Sequence, residues 1–123
     1  MQPVPAGVPI STFNAAHYEW GAKVNPCDGW HLVRTPELSV ILERMPAGAS
    51  EVRHYHEHAR QFFFVLEGEL TIEIAGEGFI LEREQGIEVA PTAPHQVFNR
   101  SSQEARFLVV SQPPSHGDRQ VIG

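Results

Sequence analysis

The sequence predicts an all-β domain, a sandwich or a barrel. Three observations carry this. The apolar runs are short and rich in β-branched and aromatic residues. Turn residues separate them at intervals of about ten residues. No stretch of about 11 residues keeps the apolar period of an α-helix.

The elements follow in chain order. Residues 1–16 read as an arm, because Pro3, Pro5 and Pro9 disfavour both helix and central strand. Residues 17–123 are expected to form one barrel domain. From Trp30 onward the pattern is strands and turns. Segment 38–45 (LSVILERM) is apolar and β-branched, 61–66 (QFFFVL) is another such run, and 69–74 (ELTIEI) alternates strictly. Segments 78–82 (GFILE), 86–90 (GIEVA), 95–99 (HQVFN) and 105–111 (ARFLVVS) continue the series. Pro46 to Ala49, Glu67-Gly68 and Ala75 to Gly78 supply turns. The tail from Gln112 to Arg119 is turn-rich and is expected to end the domain.

Composition narrows the function classes. The chain has 123 residues, room for one domain. Its net charge is −6, and the nine basic residues are scattered, so no nucleic-acid partner is expected. No run reaches the roughly 18 apolar residues of a membrane helix, so no membrane partner is expected. The N-terminus lacks the basic region of a secretory signal. A lone cysteine, Cys27, permits no intrachain disulfide and reads as an exposed thiol or a small buried hydrophobe. Cytoplasmic location is the resulting expectation.

The chemistry concentrates in histidines. His54 and His56 stand two apart, so in a strand both project to one face. Imidazole nitrogens suit Zn, Fe, Ni and Cu. Such a pair alone is a common surface feature and needs a further ligand from elsewhere. Gln61 opens the next strand, and His95 opens a later one after the turn from Pro91 to Pro94.

The surroundings resemble the two sequence motifs of the cupin superfamily. The first reads Gly48, five residues, His54-Tyr55-His56, four residues, Gln61, six residues, Gly68. The second reads Gly86, four residues, Pro91, three residues, His95, three residues, Asn99. The resemblance covers residues 48–99 and implies a cupin double-stranded β-helix, the jelly-roll barrel. It implies one divalent transition metal (Fe, Zn, Ni or Mn) held by His54, His56 and His95, with Gln61 at the fourth ligand position. Two departures stand out. Gln61 replaces the usual glutamate, and the glycine usual between Pro91 and His95 is absent. An amide oxygen is a neutral donor, so the metal would keep its full charge and favour an anionic ligand or bound hydroxide. Gln61 could alternatively hydrogen-bond a metal-bound water. Some cupin dioxygenases are similar in using histidines without a carboxylate.

Other residues have expected places. His58 is expected near the barrel mouth or solvent. Phe63, Val65 and Val97 should face inward, giving a mostly apolar cavity or simply a filled core. Asn99 should bond backbone. Glu43 and Arg44 share a strand that could border the cavity, and which faces in stays open. His17, Tyr18 and Trp20, and likewise His116, Asp118 and Arg119, read as surface or interface residues, or as caps of the barrel mouth. Segment 38–45 reads as an exposed edge strand, and with the arm it suggests a homodimer. The function expected is that of a metal-dependent enzyme, dioxygenase-like or isomerase/lyase-like, on a small polar organic molecule. A non-enzymatic barrel binding a small ligand or metal, or a purely structural barrel, is the alternative.

Overall fold

Alternating apolar and polar residues give strands with one buried face, and two such faces close on each other. In the computed structural model, which describes residues 4–122, the strands are β1 (Ala16–Trp20), β2 (Cys27–Arg34), β3 (Ser39–Met45), β4 (His54–His56), β5 (Arg60–Glu67) and β6 (Leu70–Ile74). They continue as β7 (Glu77–Leu81), β8 (Gly86–Val89), β9 (His95–Phe98), β10 (Ala105–Gln112) and β11 (Arg119–Val121). One sheet has the order β1-β2-β3-β10-β5-β8 and the other β11-β4-β9-β6-β7, with every pairing antiparallel. This is the all-β cupin jelly roll expected from the sequence. Pro3 lies outside the described residues. No helix among the described residues is long and apolar enough to cross a membrane.

The core sits between the sheets. Phe63 and Val65 of β5, Leu70 and Ile72 of β6, Val97 of β9 and Phe107 of β10 meet there. Two motif glycines are explained by close approach. Gly68 has φ +81°, and a Cβ on it would lie 2.5 Å from the Glu104 carbonyl oxygen. A Cβ on Gly86 would meet the Phe62 ring at 2.6 Å and the Phe63 carbonyl at 2.7 Å. Asn99 bonds backbone as expected, donating from Nδ2 to the carbonyls of Met45 and Gln103.

Two expectations need correction. Segment 38–45 is not an edge: β3 lies between β2 and β10. Two strands precede it, because β1 and β2 add themselves to that side of the sheet and cover it. The tail does not simply end the domain. It returns as β11, pairing Arg119 with His56 and Val121 with His54. Cys27 takes the second of its two expected places, a small buried hydrophobe in the core, where burial pushes its thiol up to about 11.

Candidate metal centre and cavity

His54 and His56 occupy alternate positions of β4, so both side chains enter the barrel. His95 is the first residue of β9 and lies directly across from His54 in the pairing. All three are buried. Their ring centroids lie 4.9 Å (His54–His56), 4.4 Å (His54–His95) and 5.5 Å (His56–His95) apart. Their candidate ligand atoms all fall within 4.8 Å of one another, so the cluster could hold one metal ion.

Hydrogen bonds fix the tautomers. Nδ1 of His54 donates to the Val52 carbonyl at 2.9 Å, that of His56 to Asp118 at 3.1 Å, and that of His95 to Ala93 at 3.0 Å. A carbonyl only accepts, so each Nδ1 carries the proton and each Nε2 presents a lone pair. Burial holds His54 down to about 3 and also lowers His56 and His95, so the rings are neutral near pH 7. Nε2 of His56 is buried and has no partner. Buried polar atoms rarely stay unsatisfied. Three lone pairs, one of them orphaned, fit a divalent transition metal, and backbone carbonyls on the far nitrogens are the usual support for such ligands.

Gln61 reaches the cluster from β5, on the opposite sheet. Its Oε1 lies 3.2 Å from His95 Nε2, and its Nε2 donates to Ser111 Oγ at 3.0 Å. The first contact sets two acceptors face to face. Either a cation between them or rotation of the amide, so that its N–H points at His95, satisfies the pair. All four residues expected at the centre are thus brought together. His58 sits exposed in the turn after β4, away from the cavity.

A cavity of about 270 Å³ opens onto His54, His56 and Gln61. The expected apolar lining holds only in part. Phe63, Ile41 and Val109 line it, but so do Tyr18, Glu43, Glu51 and Arg119. Glu43 faces in because β3 alternates with Ile41 and Met45 on the same side, while Arg44 turns out to pair with Asp28 at 2.7 Å. Tyr18 Oη donates to Glu43 Oε1 at 3.4 Å, a long hydrogen bond. Gly29 makes room for this, since a Cβ there would collide with the Tyr18 ring. Burial pushes Glu43 up to about 7, against the Tyr18 hydrogen bond and the charge of Arg119. Burial, reinforced by the charge of Glu43, pushes Glu51 up to about 8. Glu51 Oε1 is a further buried atom without a partner. Tyr18, Glu51, Asp118 and Arg119 are site residues that the motifs do not contain.

Comparison with known proteins agrees with this geometry. The family model described as the cupin domain matches residues 41–111, more than half of the chain. The chain belongs to the cupin family. Among curated relatives, this cupin is 27% identical over 79 residues to an uncharacterized protein of Methanocaldococcus jannaschii, covering 63% of each. It is 32% identical over 69 residues to polyketide synthase CurC of Streptomyces cyaneus, covering 56% of this cupin and 45% of that protein. The cupin therefore spans less than two thirds of the length of either relative. Among solved structures it superposes on one described as a predicted oxalate decarboxylase from Thermotoga maritima, with a TM-score of 0.77 and 15% identity, over 87% of this chain and 100% of that one. At that identity the likeness concerns the fold alone.

Proposed function

We propose that this cupin is a metal-dependent enzyme acting on a small polar organic molecule, with His54, His56 and His95 as metal ligands through Nε2. The observation that carries the reading is the set of three lone pairs, fixed by three backbone carbonyls, two of them on residues that line a cavity. Gln61 completes the ligand side, either on the metal or on a water bound to it. A cation bound there would polarise an oxygen of the ligand. Fe, Zn, Ni and Mn all remain candidates for the ion.

The chain's own residues favour proton transfer over oxygen chemistry. Glu43 sits in the cavity wall with a proton affinity near neutral, about 7, set by burial. That is the range in which a carboxyl both takes and returns a proton effectively. Tyr18 steadies its orientation. In the proposed reaction Glu43 removes a proton from a carbon beside a carbonyl and returns it to the same or a neighbouring carbon. The electron pair stays on the ligand throughout, so no external oxidant is required. The cavity is at the small end for ligand sites, which restricts the ligand to a few carbon atoms.

The test begins with metal content by mass spectrometry on protein purified without a His-tag. Near-stoichiometric metal in wild type, lost in a His54→Ala, His56→Ala double variant, is the expected result. No metal in wild type after reconstitution would overturn the reading. With metal present, uptake of solvent deuterium into dihydroxyacetone or pyruvate, lost in Glu43→Gln, supports proton transfer. Oxygen consumption by the iron-loaded protein would move the function to oxygenase chemistry.

A further inference from the structure

The segment after β10 lies beyond the family-matched residues 41–111, yet it makes several contacts with the metal half-site on β4. Four of them converge on Asp118. Its carboxylate accepts from the backbone N–H groups of Glu57 at 3.0 Å, His58 at 2.9 Å and Ala59 at 2.9 Å. Those groups form the turn that leaves β4. Its carbonyl oxygen accepts from Nδ1 of His56, 62 residues away in the chain. Immediately after it, β11 pairs along the whole of β4. The Ile122 N–H then closes the strap by donating to the Arg53 carbonyl at 2.9 Å.

The chemistry of these contacts is unequal across the site. The carbonyls that hold His54 and His95 come from residues two positions earlier in the same segments, Val52 and Ala93. Those two rings are therefore oriented locally. His56 alone is oriented by a remote part of the chain. β4 is also short, three residues, and its pairing with β9 is confined to His54 and His95. Without the strap, the His56 end of β4 would have a free edge and an unsupported turn.

We propose that Asp118 is the positioning residue of the metal half-site: its carboxylate fixes the turn after β4 while its carbonyl fixes the His56 ring, so that divalent-metal affinity depends on the C-terminal strap. This rests on the reading that His54, His56 and His95 hold a metal. The strap also brings Ser115, His116 and Arg119 to the cavity wall, so the same clamp shapes the space above the ligands.

The experiment measures zinc affinity of the full chain by competition with a chromophoric chelator, for wild type, Asp118→Ala, Asp118→Asn and Gln120→Ala. Losing an outer partner of a metal ligand weakens binding by about 10–100-fold. Asp118→Ala keeps the carbonyl to which His56 donates but removes the carboxylate that anchors the strap on the turn, so the carbonyl shifts with the released strap and a loss toward that range is expected; Asp118→Asn, whose amide keeps one accepting oxygen, should lose less. Gln120→Ala, on the exposed side of β11, should bind as wild type does. A second readout is the nitrogen spectrum of the zinc-free protein. In Asp118→Ala the carbonyl is no longer held in place by the carboxylate clamp, so the His56 Nδ1–H signal should weaken or exchange faster, while those of His54 and His95 stay as in wild type. Unchanged zinc affinity in a folded Asp118→Ala would overturn the inference and leave the metal site standing. If Asp118→Ala does not fold, wild-type affinity in Asp118→Asn overturns it equally. A wild-type protein that binds no zinc would sink the metal reading itself, and this inference with it.

Discussion

Stripped of metal by a chelator, the protein should be most stable across about pH 4.5 to 6.5 and weaken on both sides of that range. Two sets of buried groups compete. Burial holds His54 at about 3 in the folded protein and lowers His56 and His95 as well, whereas an unfolded histidine titrates near 6.5. Below pH 6.5 the unfolded chain therefore takes up protons that the folded one refuses, and stability falls with falling pH. Glu43 and Glu51 do the reverse. Their folded values are raised to about 7 and about 8, while unfolded carboxyls ionise near 4.5. Above pH 4.5 they lose stability as pH rises, until their folded values are passed. Each such proton is worth about 1.4 kcal/mol per pH unit. Between pH 4.5 and 6.5 the two sets largely cancel. From 6.5 to 8 only the carboxyls act, both up to about 7 and Glu51 alone beyond, which sums to roughly 3 kcal/mol. For a domain of this size that is a fall of roughly 10 °C in Tm. Urea unfolding or thermal melts in chelator across pH 5 to 9 would measure it, beside a Glu43→Gln, Glu51→Gln double variant that should lack the alkaline fall. A stability that stays level or rises from pH 6.5 to 8 would refute the reasoning, as would the same fall in the double variant.

Four further outcomes are expected. Zinc binding at pH 6.5 should release a measurable number of protons, up to two, because the imidazoles are already neutral and the cation draws protons from Glu43 and Glu51; calorimetry in two buffers of different ionisation enthalpy reads this, and no release would contradict it. Gln61→Glu should tighten zinc binding by about tenfold or more, since it places a full negative charge beside the cluster; an unchanged or weaker affinity in chelator competition would refute this. Thr92, a β-branched residue in the turn before His95, has φ +71°, so Thr92→Gly should relieve strain and stabilise by about 0.5–1 kcal/mol in urea unfolding, net of the glycine entropy cost. A homodimer, expected from the sequence, would find an apolar surface on the outward face of the larger sheet, where Val40, Leu42, Phe62, Phe64, Leu108 and Val110 lie side by side and Phe62 is 40% exposed; sedimentation should then show dimers for wild type and monomers for Phe62→Glu, and a monomeric wild type at micromolar concentration would remove the expectation.

Much of the barrel was legible because period-two alternation is a local property. Segment 69–74 announces β6 directly, and 105–111 announces β10. The strands that escaped notice lack that pattern. In β2, Asp28, Gly29 and His31 interrupt the apolar positions, since Gly29 must leave space for the Tyr18 ring. β11 has three exposed residues and no apolar face at all. The centre divides the same way. His54, His56, Gln61 and His95 were readable from motif spacing, and Glu43 could have been placed by extending the alternation from Ile41 through Met45. Tyr18, Asp118 and Arg119 could be named only as caps of the barrel mouth or as surface residues, with no means to choose between the two. Their position depends on β1 joining the outer side of β2 and on β11 returning to β4, and neither pairing leaves a trace in local sequence. The missing glycine of the second motif also finds a physical answer: Thr92 takes up the positive φ itself, held by its N–H on the His56 carbonyl.

The replacement at position 61 gains its meaning from the cavity wall. Three neutral imidazoles and an amide would leave a divalent cation uncompensated by its nearest ligands. Burying such a charge without a counter-charge is costly. Glu43 and Glu51 line the same cavity, so the negative charge lies in the wall, outside the first ring of ligands. A carboxylate bound to the metal is committed to it, whereas one in the wall stays free to exchange a proton with whatever enters. On this view Gln61 does not weaken the case for catalysis by the cavity. It would leave a bound metal more electrophilic and keep the wall carboxyls of Glu43 and Glu51 off the metal and free to exchange a proton with the ligand, the combination that proton transfer beside a polarised carbonyl requires.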